Sequence, residues 1–264
     1  MAFTRLNNVR LHWRETGPAD APAIIFANSL GTDCRLWDEI AHALSDRYRV
    51  VLYDKRGHGL SENAPGPYSI AMLADDALAL ADHLGLARFA FVGLSIGGLI
   101  AQQIALKAPE RLTALVICDS AAKIGDDASW NARIKAVTEN GLASIAGPVM
   151  ERWFTPAFHA ERPVELQGWI QMLCGTPNDG YAAACAALRA ADLTDKIAAI
   201  RTPTLVVCGD GDQSTPPALV QATAARIPDA RFELIEQCSH IPPAEQPAAL
   251  LALLKRHFEE HLNA

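Results

Sequence analysis

Nowhere does this chain string together the ~18 apolar residues that a helix needs to cross a bilayer, so no membrane-spanning segment is expected. Basic runs are missing as well. With 23 Lys and Arg against 30 Asp and Glu the formal net charge is -7, and no cationic stripe is present to neutralise successive phosphates. That excludes nucleic acid as a partner. It does not exclude a small acidic substrate, because one local arginine suffices to hold a carboxylate. The six cysteines (Cys34, Cys118, Cys174, Cys185, Cys208 and Cys238) form no CxxC pair and no metal-type spacing with histidine. Neither a metal nor any other cofactor is expected, and Cys118 and Cys208, ending apolar runs, read as core thiols. The first 14 residues lack a signal-peptide core, which together with scattered thiols predicts a cytoplasmic protein. Internal repeats and low-complexity tracts are absent.

Half of the 264 residues are apolar and 20% are charged, an ordinary globular composition. The length fits one large α/β domain, or a core domain carrying an insertion. Val9-Arg10-Leu11-His12-Trp13-Arg14-Glu15 alternates like a half-buried strand and stops at Gly17-Pro18. Ala23–Ala27 and residues 50–53, 89–92 and 114–118 are continuous apolar runs of the kind buried on both faces, and residues 204–208 and 232–235 add two more. Helical spacing separates them. Ile70, Leu73, Ala77, Leu80, Ala81 and Leu84 form one stripe, with Asp75, Asp76 and Asp82 expected to face away and Gly85 as the stop. Such alternation predicts a mostly parallel central sheet with helices on both faces, whose functional loops gather at the carboxyl ends of the strands.

One interval breaks the rhythm. Between Ser120 and Pro203 the sequence is mostly helical in pattern, over residues 130–137, 142–154, 163–172 and 181–191, and holds Trp130, Trp153 and Trp169. This divides the chain into a core of residues 1–120 and 203–264 and a helical lid of residues 121–202.

Gly93-Leu94-Ser95-Ile96-Gly97 lies between the apolar run ending at Val92 and the helical stretch beginning at Gly98. A serine on so sharp a strand-to-helix turn is strained into projecting its hydroxyl, and flanking glycines remove the Cβ clashes. Serine is a weak nucleophile unless a histidine, oriented by a carboxylate, takes its proton. Asp212 and His240 follow in that order, each just past a strand-like run. Asp210 is the alternative acid but lies closer to its strand, where a turn former belongs. His58, in Asp54-Lys55-Arg56-Gly57-His58-Gly59, is the alternative base, although it precedes the serine. The other six histidines (His12, His42, His83, His159, His257 and His261) are expected to be solvated. Acyl attack also needs two donors for the oxyanion. Position assigns these to the N–H of Ile96, at a helix N-terminus, and the N–H of Leu30, in Asn28-Ser29-Leu30-Gly31.

Together Asn28-Ser29-Leu30-Gly31-Thr32, residues 53–61, Gly93-Leu94-Ser95-Ile96-Gly97-Gly98, residues 209–217 and Ser239-His240-Ile241-Pro242 resemble the α/β-hydrolase superfamily over essentially the whole chain. Within it the sequence is most similar to the bacterial 3-oxoadipate enol-lactonases, which share the Asn-Ser-Leu-Gly-Thr loop and the stretch Glu151-Arg152-Trp153-Phe154-Thr155. The resemblance implies an α/β-hydrolase fold with a helical lid, no cofactor, a Ser95–His240–Asp212 triad, and 3-oxoadipate enol-lactone as substrate. That lactone carries a free carboxylate, so its pocket should hold a cation. Arg133, three residues after Trp130, is the first candidate, with Arg152 and Lys135 as alternatives, and Trp130 and Trp153 are expected to line the pocket. A general carboxylesterase, a carbon–carbon bond hydrolase of ring-cleavage products, a cofactor-free haloperoxidase-like enzyme and a non-catalytic receptor remain rival readings. Oligomeric state is not specified by any feature.

Overall fold

Strands that must be covered on both sides are apolar throughout, and these occupy the middle of the sheet. In a computed structural model describing residues 1–262, the strands are β1 (Ala2–Leu6), β2 (Val9–Thr16), β3 (Ala23–Ala27), β4 (Arg49–Tyr53), β5 (Phe89–Leu94), β6 (Leu112–Cys118), β7 (Thr204–Gly209) and β8 (Arg231–Ile235). They form one eight-stranded sheet in the order β1-β2-β4-β3-β5-β6-β7-β8. Pairing is parallel from β4 to β8, and antiparallel only where β1 joins β2 and β2 joins β4. Every residue of β3, β5 and β7 is buried. Edge strand β8 is different, since Leu234 remains 49% exposed.

The helices are α1 (Asp38–Leu44), α2 (Ile70–His83), α3 (Ile96–Lys107), α4 (Asp127–Asn140), α5 (Ala146–Trp153), α6 (Pro156–Glu161), α7 (Pro163–Cys174), α8 (Asn178–Ala190), α9 (Pro217–Ala224), α10 (Pro242–Glu245) and α11 (Pro247–His261). The chain steps from β3 outward to β4 and then back across β3 to β5. Right-handed crossovers therefore place α1 and α2 on opposite faces, where α1 packs with α11 and α2 with α3. That reversal opens a crevice above the carboxyl ends of β3 and β5. The loops after these two strands carry Leu30 and Ser95. Helices α4 to α8 all lie between β6 and β7, and no helix among the described residues is long and apolar enough to cross a membrane.

Several side chains depart from the sequence reading. Asp76 does not face away from the α2 stripe. It is buried and forms a two-point pair with the Arg56 guanidinium, at 2.6 Å for each bond, which compensates both charges. His12 is not solvated either, for its Nδ1 lies 2.8 Å from Asp54 Oδ2 at 3% residual exposure. His257 is likewise buried, and desolvation pushes its imidazole down to about 4. Strand β1 was not anticipated, because its residues alternate between half-buried and exposed. Its cue is the Asn7-Asn8 turn, with both residues at positive φ (46° and 63°), the backbone a two-residue hairpin demands. Helix α6 and the short α10 are further additions, and α10 separates the loop of His240 from α11.

Candidate active site

Ser95 connects β5 to α3 with φ 58° and ψ −117°, a conformation that costs a non-glycine residue roughly 1–3 kcal/mol. Bonds reaching across to β6 and the loop after it help to hold it there. Its N–H donates to Cys118 O at 2.9 Å, and its carbonyl accepts from Ser120 Oγ at 2.7 Å. The neighbouring glycines are sterically obligatory. A Cβ on Gly93 would overlap the Gly97 carbonyl, one on Gly97 would overlap Ala27 O, and one on Gly98 would strike Ser120. The serine opens into a cavity of about 400 Å³.

His240 lines the same cavity. Its Nδ1–H donates to Asp212 Oδ2 at 2.8 Å, and both residues are buried. Asp212 also accepts from the N–H groups of Ser214 (2.7 Å) and Thr215 (3.1 Å) and from Thr215 Oγ1 (2.6 Å). Burial opposes ionisation of this carboxyl. The cationic form of His240 and the Thr215 hydrogen bonds outweigh that and hold it below the usual carboxylate range. With Nδ1 so engaged, Nε2 is the nitrogen left to exchange a proton in the cavity. Ser95 Oγ has no hydrogen-bond partner among the described residues, so the last link to His240 is a shared cavity rather than a closed bond. Asp210 takes no part. It accepts from Cys238 N–H at 3.1 Å and shapes the turn.

His58 is excluded as the base by its surroundings. It is fully buried, and desolvation together with Lys55 holds its imidazole far below the ordinary value. Neutral, it accepts the Gly31 N–H at Nε2 (3.1 Å). Leu30 and Ile96 flank Ser95 in space, Leu30 lining the cavity and Ile96 at the first position of α3. Neither of their N–H groups has an acceptor among the described residues.

The cavity wall opposite comes from α4, α5 and α8. Trp130, Arg133, Arg152 and Trp153 all line it. The Arg133 guanidinium carbon sits 5.2 Å from the Trp130 ring centroid, and neither Arg133 nor Arg152 pairs with a carboxylate among the described residues. Lys135 points elsewhere, toward Glu139 at 4.0 Å, and drops out as a pocket cation. The resemblance stretch 151–155 is tied to the histidine loop. Trp153 O accepts the His240 N–H at 3.1 Å, while Glu245 accepts from Thr155 N–H (2.8 Å) and Ser239 N–H (2.7 Å). Glu245 was not singled out from sequence, because nothing local marks a carboxylate that joins two distant loops.

Asp119 was also missed. It is fully buried at φ 44°, its Oδ1 accepts the Gly209 N–H at 2.9 Å, and Oδ2 lacks a partner. Carboxylate oxygens of Asp119 and Asp212 and a ring nitrogen of His240 lie within 4.8 Å of one another. Burial, then the charge on Asp212, raises the Asp119 carboxyl well above its ordinary 3.8, so of the two carboxyls Asp119 keeps its proton to the higher pH. The stability tied to that proton is present at low pH. It is lost as pH climbs from about 3.8 toward the folded value, because the unfolded chain releases the proton first. Asp119→Asn cannot ionise, so its Tm relative to wild type should rise between pH 4 and pH 8 in scanning calorimetry. Parallel Tm–pH curves for the two proteins would show that Asp119 is ionised in the fold.

Over residues 24–253 the sequence matches the alpha/beta hydrolase family. It is 40% identical over 242 residues to 3-oxoadipate enol-lactonase 2 of Acinetobacter baylyi, covering 92% of this chain and 90% of that protein. It is 39% identical over 237 residues to 3-oxoadipate enol-lactonase 1 of the same organism, covering 90% and 88% respectively. The crystal structure of the enol-lactonase from Burkholderia xenovorans LB400 superposes with a TM-score of 0.96 at 36% identity, covering 98% of this chain and 100% of that one.

Proposed function

The chain belongs to the alpha/beta hydrolase family, and we propose that it hydrolyses 3-oxoadipate enol-lactone to 3-oxoadipate, in aromatic catabolism, through an acyl-enzyme on Ser95. The observation that carries this reading is one cavity holding the strained Ser95, an imidazole braced by Asp212, and the carboxylate-free guanidinium of Arg133. Relatives named for that reaction cover about nine-tenths of the chain.

Ser95 Oγ attacks the lactone carbonyl while His240 Nε2 takes its proton. The new oxyanion lies against the N–H groups of Leu30 and Ile96, where the N-terminus of α3 adds favourable potential. Collapse breaks the bond to the enol oxygen, which leaves as an enolate and takes the proton held by His240, directly or through solvent, so that the imidazole is neutral again. Ketonisation removes the nucleophile that could reclose the ring. Water, deprotonated by His240, then attacks the acyl carbon and releases Ser95 and a carboxylic acid. Asp212 keeps the imidazole in the tautomer with Nε2 free and stabilises its cation. Arg133, backed by Trp130, holds the substrate carboxylate, Trp153 packs beside it, and helices α4 to α8 act as the lid. No step calls for a cofactor, and six free cysteines fit a reducing cytoplasm.

Parallel assays on the enol-lactone, a neutral ester and a dienone-type ring-cleavage product test the assignment. The lactone should show the highest kcat/KM, whereas preference for the neutral ester would make the protein a general carboxylesterase. Arg133→Ala separates binding from chemistry. A charge-assisted hydrogen bond lost from the substrate carboxylate should raise KM for the lactone about 30-fold. KM for the neutral ester should barely change, and equal effects on both substrates would remove Arg133 from that role.

A further inference from the structure

Lys55 is the least expected charge in the molecule. It is 1% exposed, and burial pushes its ammonium down to about 7 against the opposing pull of Asp54 and Asp33. No carboxylate among the described residues forms an ion pair with it. Its partners are backbone oxygens, Ser29 O at 2.6 Å and Asn28 O at 3.5 Å. The same Ser29 carbonyl receives Thr32 Oγ1 at 3.0 Å and the Thr32 N–H at 3.3 Å. Ser29 O is thus fixed by three donors, in a loop that lines the cavity beside Ser95.

A trans peptide points its C=O and N–H in opposite directions. Anchoring Ser29 O on the Lys55 side therefore turns the Leu30 N–H, which belongs to the same peptide unit, the other way and toward the cavity. The next amide is already used, because the Gly31 N–H donates to His58 Nε2 at 3.1 Å. Both grips come from the single segment Asp54-Lys55-Arg56-Gly57-His58, a stretch that the triad leaves without a task.

We propose that Lys55 is the positioning residue of the oxyanion site, its hold on the Ser29 carbonyl keeping the Ser29–Leu30 peptide unit in the orientation that offers the Leu30 N–H to the substrate oxygen. This rests on the roles given to Ser95 and Leu30 under the proposed function. Without the ammonium, rotation of the same peptide unit exchanges a donor for a carbonyl oxygen in the cavity, which repels the developing anion.

The test compares wild type with Lys55→Met using p-nitrophenyl acetate, which reports acylation whatever the true lactone is. Two ligands are measured alongside. A boronic acid places an oxygen where the oxyanion forms, whereas pentanoate, whose single carboxylate is the group held by Arg133, leaves that position without one. Loss of one oxyanion donor should lower kcat about 100-fold with KM little changed. Boronate affinity should fall by a similar factor while pentanoate affinity stays the same. A folded Lys55→Met protein with wild-type kcat and boronate affinity overturns the proposal, and so does parallel loss of boronate and pentanoate binding. If Lys55→Met fails to fold, Thr32→Val removes a second donor from the same carbonyl and should weaken boronate relative to pentanoate about 5-fold. An unchanged ratio then overturns the proposal. Ser95→Ala is the control. Ester turnover that survives Ser95→Ala undermines the reading of Ser95, whereas turnover lost there but unaffected in Lys55→Met removes only the role of Lys55.

Discussion

Ser95→Ala is expected to lower kcat/KM for lactone and ester substrates by about 10⁴-fold or more while leaving the fold intact. The loss is large under the proposed mechanism, in which the hydroxyl is the protein group that bonds to the substrate carbon. It should not be total, since the donors proposed at Leu30 and Ile96 and the proposed grip of Arg133 would still bind the substrate and polarise its carbonyl. Stability should change little, because Ser95 Oγ makes no hydrogen bond to a described residue. The backbone bonds to Cys118 and Ser120 that hold the elbow do not involve the side chain. Alanine keeps the Cβ and the positive φ of the elbow, so the strain there is unchanged. Steady-state kinetics paired with thermal melts reads both quantities, and turnover near wild type would send the nucleophile elsewhere.

Asp212→Asn is the second large effect, with kcat expected to fall about 10⁴-fold and KM to stay close to wild type. The amide is nearly isosteric with the carboxylate, and with its oxygen at the Oδ1 position it can still accept from the N–H groups of Ser214 and Thr215. The charge is lost, and with it the stabilisation of the His240 cation. Worse, an amide nitrogen facing Nδ1 favours the tautomer with the proton on Nε2, which cannot then accept from serine. Asp119, close by but with its carboxyl disfavoured from ionising by burial and by the charge on Asp212, offers no ready substitute carboxylate in the wild-type fold. A loss smaller than 10-fold would mean that Asp212 does not orient the imidazole.

Which parts of the site could be read in advance follows from how local each signal is. The elbow was legible because its constraint lies within five residues. A strained serine needs glycine two positions before and after it, and the contacts around Gly93 and Gly97 show why any Cβ is refused. Asp212 and His240 were legible as pairs of residue type and strand-end position. Asp119 occupies an equivalent position after β6, yet one aspartate beyond a strand cannot be told from a turn former without its buried neighbours. Lys55 and His58 were visible only as part of the resemblance stretch 53–61, with His58 as a rival base. Their use as anchors of the Asn28–Thr32 loop depends on β3 and β4 lying side by side, which puts their following loops in contact. His12 and Asp76 misled for the same reason. Strand alternation and helical periodicity place a side chain on a face, but they do not reveal that Asp54 or Arg56 waits there to compensate it.

The central claim is that Ser95 is made nucleophilic by the Asp212–His240 pair, and covalent labelling tests it most directly. A fluorophosphonate bonds only to a serine whose proton is being drawn off, with fluoride as the leaving group. Intact mass and peptide mapping should find one phosphonyl group per chain, on Ser95, with hydrolysis lost in proportion to labelling. In His240→Ala the same reagent should leave the protein unmodified. A label on any other residue, or full labelling of Ser95 with hydrolysis undiminished, would contradict the account.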